Sequence, residues 1–162
     1  MVGNLIFVLG ALVCAFAQGR IAPELGIDRV FNLPLVALAL FSTPYQLPSR
    51  LVGATAAGLV MDGLLFRPLG VTSLSLCGAV LVGSALRSDV EGWPRRFGAA
   101  AAAIVAGVAI ESLLFALGGE QGGLFAGLTF TWLAVNLPIL LVATWFGSRR
   151  RERLRLDSTL RL

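Results

Sequence analysis

The sequence predicts an all-α membrane protein: a compact bundle of six transmembrane helices with both termini in the cytoplasm. Three observations carry that expectation. Hydrophobic residues make up 57% of the 162 and charged residues only 14%. A soluble domain has about 25% charged residues, so lipid rather than water is expected to solvate most of this surface. Six apolar stretches approach the roughly 20 residues a helix needs to cross a bilayer. The 13 basic residues, all arginine, then divide ten to three between the two sides that six crossings define.

The first stretch covers about residues 4–18. No arginine precedes it and no small-residue cleavage pattern leads into a soluble domain, so a retained helix is expected rather than a signal peptide. The second, about 30–47, has Pro34 near its start and the break "TPYQLP" at its end. The third, about 49–66, carries Asp62. The fourth opens on Pro68, a favourable first-turn proline, and runs to about Leu86. The fifth covers about 96–117, and "GGEQGG" then makes a loop. The sixth covers about 124–146. Residues 1–147 thus form the transmembrane domain and 148–162 a basic cytoplasmic tail.

Arginine is enriched in short cytoplasmic loops. Six helices place Arg50, Arg87, Arg95, Arg96 and the tail residues Arg149, Arg150, Arg151, Arg153, Arg155 and Arg161 on one side. Arg20, Arg29 and Arg67 fall on the other. Five helices would break this agreement. Arg149, Arg150, Arg151, Arg153 and Arg155 are expected to lie along the inner membrane surface, where basic residues near anionic lipid contribute about 1 kcal/mol each.

Small residues recur four apart: Gly53/Ala57, Ala54/Gly58, Ser75/Ala79/Gly83, Gly98/Ala102 and Ala103/Gly107. Such spacing lets helix backbones approach closely in lipid and predicts tight packing.

Histidine and lysine are absent. That excludes a histidine-ligated haem or zinc, a histidine general base and a lysine Schiff base. No nucleophile–base pair and no phosphate-cradling glycine loop is present, so neither an enzyme, a cofactor nor a nucleic-acid partner is expected. Cys14 and Cys77 both fall in apolar segments and read as small apolar residues, not a disulfide.

Asp62 and Glu111 are the two acids well inside apolar segments. An ionisable group there costs at least about 2.5–3.5 kcal/mol and normally faces protein or water. Counted along their helices, both sit in the outer half of the bilayer. Ser75 and Thr131 fall at similar depth. One polar cluster of Asp62, Glu111, Ser75 and Thr131, built by helices three to six, is therefore expected. It serves as helix–helix glue, as a surface for a partner's transmembrane helix, or as a proton or ion pathway. The last needs a chain of titratable groups and finds only two. Arg67 either snorkels to the interface or leans back toward Asp62. If Asp62 is a hydrogen-bonding group, Asn is expected to replace it with little loss, whereas Leu loosens the bundle.

The stretch "FNLPLVALALFSTPYQLPSRLVGATAAGLVMDGLLFRPLGVTSLSL" resembles MreD, the small integral membrane protein of the bacterial rod-shape (elongation) system. Members of that family show a proline-led apolar helix, a break, and a helix carrying Gly-x-x-x-Asp. A Leu-Gly pair then opens the next helix. Here these are Pro34, Gly58, Asp62, Leu69 and Gly70. Glu111 in the fifth helix and Asn136 in the sixth fit the family's acid and asparagine loosely. An alanine-rich fifth helix and a longer arginine tail depart from its pattern. The resemblance implies a non-enzymatic component of the bacterial cytoplasmic membrane. It implies binding to MreC, and to RodA and a class B penicillin-binding transpeptidase directly or through MreC. The role it implies is support of peptidoglycan synthesis and rod cell shape through helix–helix contacts. A second class also fits the size and helix count: the substrate-binding membrane subunit of an energy-coupling-factor-type vitamin transporter. That reading requires an outward pocket with aromatic and polar lining.

Overall fold

The computed structural model describes residues 2–26, 32–41, 45–86 and 93–117, together with 135–136, 138–142 and 144–145. Five helices are delimited: α1 (Val2–Glu24), α2 (Leu33–Phe41), α3 (Leu47–Leu64), α4 (Val71–Ala85) and α5 (Trp93–Leu117). The described residues of 135–145 are helical too and lie in the sixth expected segment. No strand occurs among the described residues.

Each start has a local cause. Asn32 caps α2, its Oδ1 accepting the Leu35 N–H at 3.1 Å, and Pro34 follows in the first turn, where its missing N–H costs nothing. α3 likewise has proline in its first turn after Gln46. It ends in a turn of the Schellman type: the Arg67 N–H donates to the Asp62 carbonyl at 2.9 Å, and Phe66 takes the left-handed conformation at φ 53°.

Three boundaries differ from the sequence expectation. α1 continues past Gln18 to Glu24 and takes Pro23 into its last turn. α4 begins at Val71, leaving Pro68 in the preceding turn, because the cap that starts it comes from another helix. α2 starts at Leu33 rather than at about 30, and its described part runs to Phe41.

Contacts fix the helix directions. Gly19 of α1 sits against Leu64 of α3, and Gly53 of α3 against Phe7 of α1, so these two run parallel. Gly107 of α5 lies beside Ala79 and Leu35, and Gly83 of α4 beside Ala103. With the Ser75–Gly107 bond described below, α4 runs antiparallel to α5 and in the same sense as α2. α2 packs on α1, α3, α4 and α5. One end of the bundle therefore gathers Arg50, Ser84 and the start of α5. The other gathers Glu24, Asn32, the 65–70 turn and Leu117.

The small-residue stripes mark where backbones meet. Ala54, Ala57, Gly58, Ala79, Ala103 and Gly107 are all buried. Gly98 departs from the expected pattern: it is exposed, and a Cβ there would meet nothing. Polarity is inverted relative to a soluble domain. The interior holds Gln18, Asn32, Asp62, Thr72, Ser73, Ser75 and Asn136, while Leu5, Ile6, Leu9, Val13, Phe16, Leu59, Leu74, Leu81, Val105 and Leu113 face outward. Two helices, Gly3–Glu24 and Phe97–Leu117, are long and apolar enough to cross a membrane.

Candidate functional site at the start of the fourth helix

The first turn of any helix exposes backbone N–H groups with no intrahelical acceptor. α4 meets this problem inside the bundle. Its N-cap is Gly70, held at φ 100°, a conformation open to glycine, and it offers no side chain to cap with. Asp62 of α3 supplies the acceptors. Its carboxylate takes the Gly70 N–H on Oδ2 at 2.7 Å and the Thr72 N–H on Oδ1 at 3.2 Å. The side chain is fully buried. A carboxylate at a helix N-terminus also faces the positive end of the helix dipole.

Gly58 lies one turn before Asp62 on the same face of α3. A Cβ on Gly58 would run into the backbone of Ser73 and lie 2.6 Å from its Oγ. The missing side chain lets the first turn of α4 press against α3. Ser73 closes the contact by donating its hydroxyl to the Thr55 carbonyl at 3.0 Å. Gly-x-x-x-Asp is thus one device: the glycine admits the helix start and the aspartate caps it.

The remaining polar residues sit at the same end without joining this network. Ser75 Oγ donates to the Gly107 carbonyl at 2.8 Å and ties α4 to α5. The Arg67 side chain pairs with Glu111 rather than with Asp62. Its Nη1 donates to Glu111 Oε1 at 2.9 Å, and its guanidinium carbon lies 5.5 Å from the Phe115 ring centre. The expected single cluster is therefore corrected to three separate contacts: Asp62 with the α4 backbone, Ser75 with the α5 backbone, and Glu111 with Arg67. Thr131, its fourth expected member, and Arg149, Arg150, Arg151, Arg153 and Arg155 lie outside the described residues. Pro34 and Asn136 are fully buried. Leu69, expected to pack, is instead 76% exposed in the turn.

One functional residue escaped the sequence reading. Gln18 of α1 is buried, and its Oε1 accepts the Leu33 N–H at 2.8 Å, adding to the cap on α2. An amide well inside an apolar helix is its only sequence signal. Cys14 and Cys77 are free and half-buried. No group of metal-ligating side chains occurs among the described residues. An apolar groove between α2, α4 and α5 is lined by Leu38, Ala39, Ala79, Val80, Gly83, Ala99, Ala100 and Ala103.

These features define a class: a helical protein with an apolar exterior and a polar, backbone-capping interior. Comparisons with known protein families, characterised proteins and solved structures find no match to this chain.

Proposed function

We propose that this chain is a multi-pass protein of the bacterial cytoplasmic membrane, built as six membrane helices with both termini inside. Its role is that of a non-enzymatic, MreD-like component of the cell-elongation machinery, binding MreC through helix–helix contacts in support of peptidoglycan synthesis and rod shape. The observation that carries the reading is the pairing of Gly58 with Asp62 at the start of α4. The residues through which the sequence resembles MreD are the ones that set this helix junction. Pro34, in the first turn of α2, and Gly70, at the cap of α4, belong to the same set of helix starts. The chain acts through its helix surfaces, because its loops are short and its interior polar groups are engaged in holding helices together. A vitamin-binding subunit would need polar lining in a pocket, and the groove between α2, α4 and α5 is lined by aliphatic side chains and glycine alone.

The test is affinity purification of the tagged full chain in mild detergent, followed by identification of what co-purifies. Recovery of MreC supports the proposal. Recovery of an ATP-binding transporter scaffold in its place overturns it in favour of the transporter class.

A further inference from the structure

The Arg67–Glu111 pair is unlike the other polar contacts because it is open. Its side chains are 36% and 19% exposed. Arg67 spends one N–H on Glu111 Oε1, and among the described residues the second carboxylate oxygen accepts no hydrogen bond. Both partners therefore keep unused capacity, guanidinium donors on one side and a carboxylate acceptor on the other. The turn that carries Arg67 is apolar on its exposed side, where Phe66 and Leu69 both face outward. Glu111 lies six residues before the end of α5 at Leu117. That places it about 9 Å from the tip of a helix about 37 Å long. The hydrocarbon core is about 30 Å thick; a helix centred in it puts the Glu111 backbone about 5 Å below the headgroup boundary, and Arg67 reaches Glu111 from the turn at that end.

An exposed ion pair at that depth asks for a ligand carrying both charges and an apolar body. We propose that Arg67 and Glu111 seat the phosphoethanolamine headgroup of a membrane phospholipid. The phosphodiester oxygens take the free guanidinium N–H donors of Arg67, whose planar fork suits phosphate. The primary ammonium donates to the unused Glu111 oxygen. The acyl chains lie in the surrounding bilayer, beside the exposed Phe66 and Leu69. This assignment rests on the membrane-spanning reading proposed above, which sets the depth of the pair, and it stands or falls separately from the MreC-binding role.

The test is native mass spectrometry of the full chain in mild detergent, titrated with phospholipids that share acyl chains but differ in headgroup. Phosphatidylethanolamine should bind best. Affinity should fall stepwise as its nitrogen is methylated, reaching about tenfold weaker for phosphatidylcholine, which has no N–H to donate. Phosphatidylglycerol, lacking the ammonium, should also bind more weakly. Glu111→Gln should erase the preference for ethanolamine over choline while phosphate binding persists. Arg67→Gln should weaken all three. Equal binding of ethanolamine, choline and glycerol lipids by the unaltered protein overturns the proposal, and that measurement does not depend on any variant folding. Displacement of bound lipid by soluble phosphoethanolamine at equal concentration would overturn the lipid as the source. Retention of a protein partner that depends on Arg67 and Glu111, with no headgroup preference, would assign the pair to that partner instead.

Discussion

Asp62 uses both carboxylate oxygens, one on Gly70 and one on Thr72, and this changes what its substitution should do. Taken as a generic hydrogen-bonding group, the residue tolerates Asn, which is nearly the same size. With both oxygens accepting backbone N–H groups, Asn fits poorly. It offers one carbonyl oxygen and one NH2, and the NH2 turns a donor toward a donor. Hydrogen bonds to charged groups contribute about 1.5–3 kcal/mol each. Asp62→Asn should therefore lose about that much stability, and Asp62→Leu should lose more because both N–H groups are left without the carboxylate. Thermal unfolding of the three proteins in one detergent checks the order. An Asn variant as stable as the parent would mean that the Asp62 cap does not hold the start of α4. The buried acid was legible in the sequence as an anomaly, but its partners were not. They are backbone groups eight and ten residues further along, and backbone groups leave no mark in a sequence.

At the scale of the element, the existence of the helices was readable from apolar runs, and their ends were not. Pro34 marked the start of α2 only approximately; the Asn32 cap that sets it at Leu33 was not read from the sequence. Pro68 looked like a comparable signal for α4 and was not one. The Asp62 cap selects Gly70 and overrides the proline. The small-residue spacing has the same limit: it names stripes without saying which ones face a neighbour. Gly107 faces Leu35 and Ala79, whose atoms would lie 3.1–3.3 Å from an added Cβ, whereas Gly98 faces open space. Gly107→Leu should overpack the α2–α4–α5 junction and cost about 1–3 kcal/mol or more. Gly98→Leu should stay within about 0.5 kcal/mol of the parent, as surface substitutions do. Equal damage from both would mean that the α4–α5 face is not the tight interface that its geometry describes.

Among the described residues several polar side chains are buried together with Leu35, Leu38, Leu76 and Leu140, and on the proposed membrane placement the starts of two inner helices explain why. α2 starts beside Gln18, six residues before the end of α1 at Glu24, and α4, which pairs Ser75 with Gly107, starts short of the end of α5 at Leu117. In lipid, a helix start at that depth finds no water for its N–H groups, and each unsatisfied group costs several kcal/mol. Gln18 and Asn32 answer this for α2, and Asp62 answers it for α4. The buried polar residues are what a bundle with such inner helix starts requires of a lipid-solvated chain. The same geometry sets a test of topology. Leu69 is exposed just before α4 and Leu86 just after it, at the two opposite ends of the bundle. The orientation proposed from the ten-to-three arginine division puts the Leu86 end on the cytoplasmic side. In a background with Cys14 and Cys77 changed to Ala, Leu69→Cys should react with an impermeant maleimide added to intact cells. Leu86→Cys should react only after the membrane is opened. The opposite pattern would invert the orientation. Labelling of both positions from the same side would show that α4 does not connect the two faces of the membrane, and the bundle would then have to be seated in some other way.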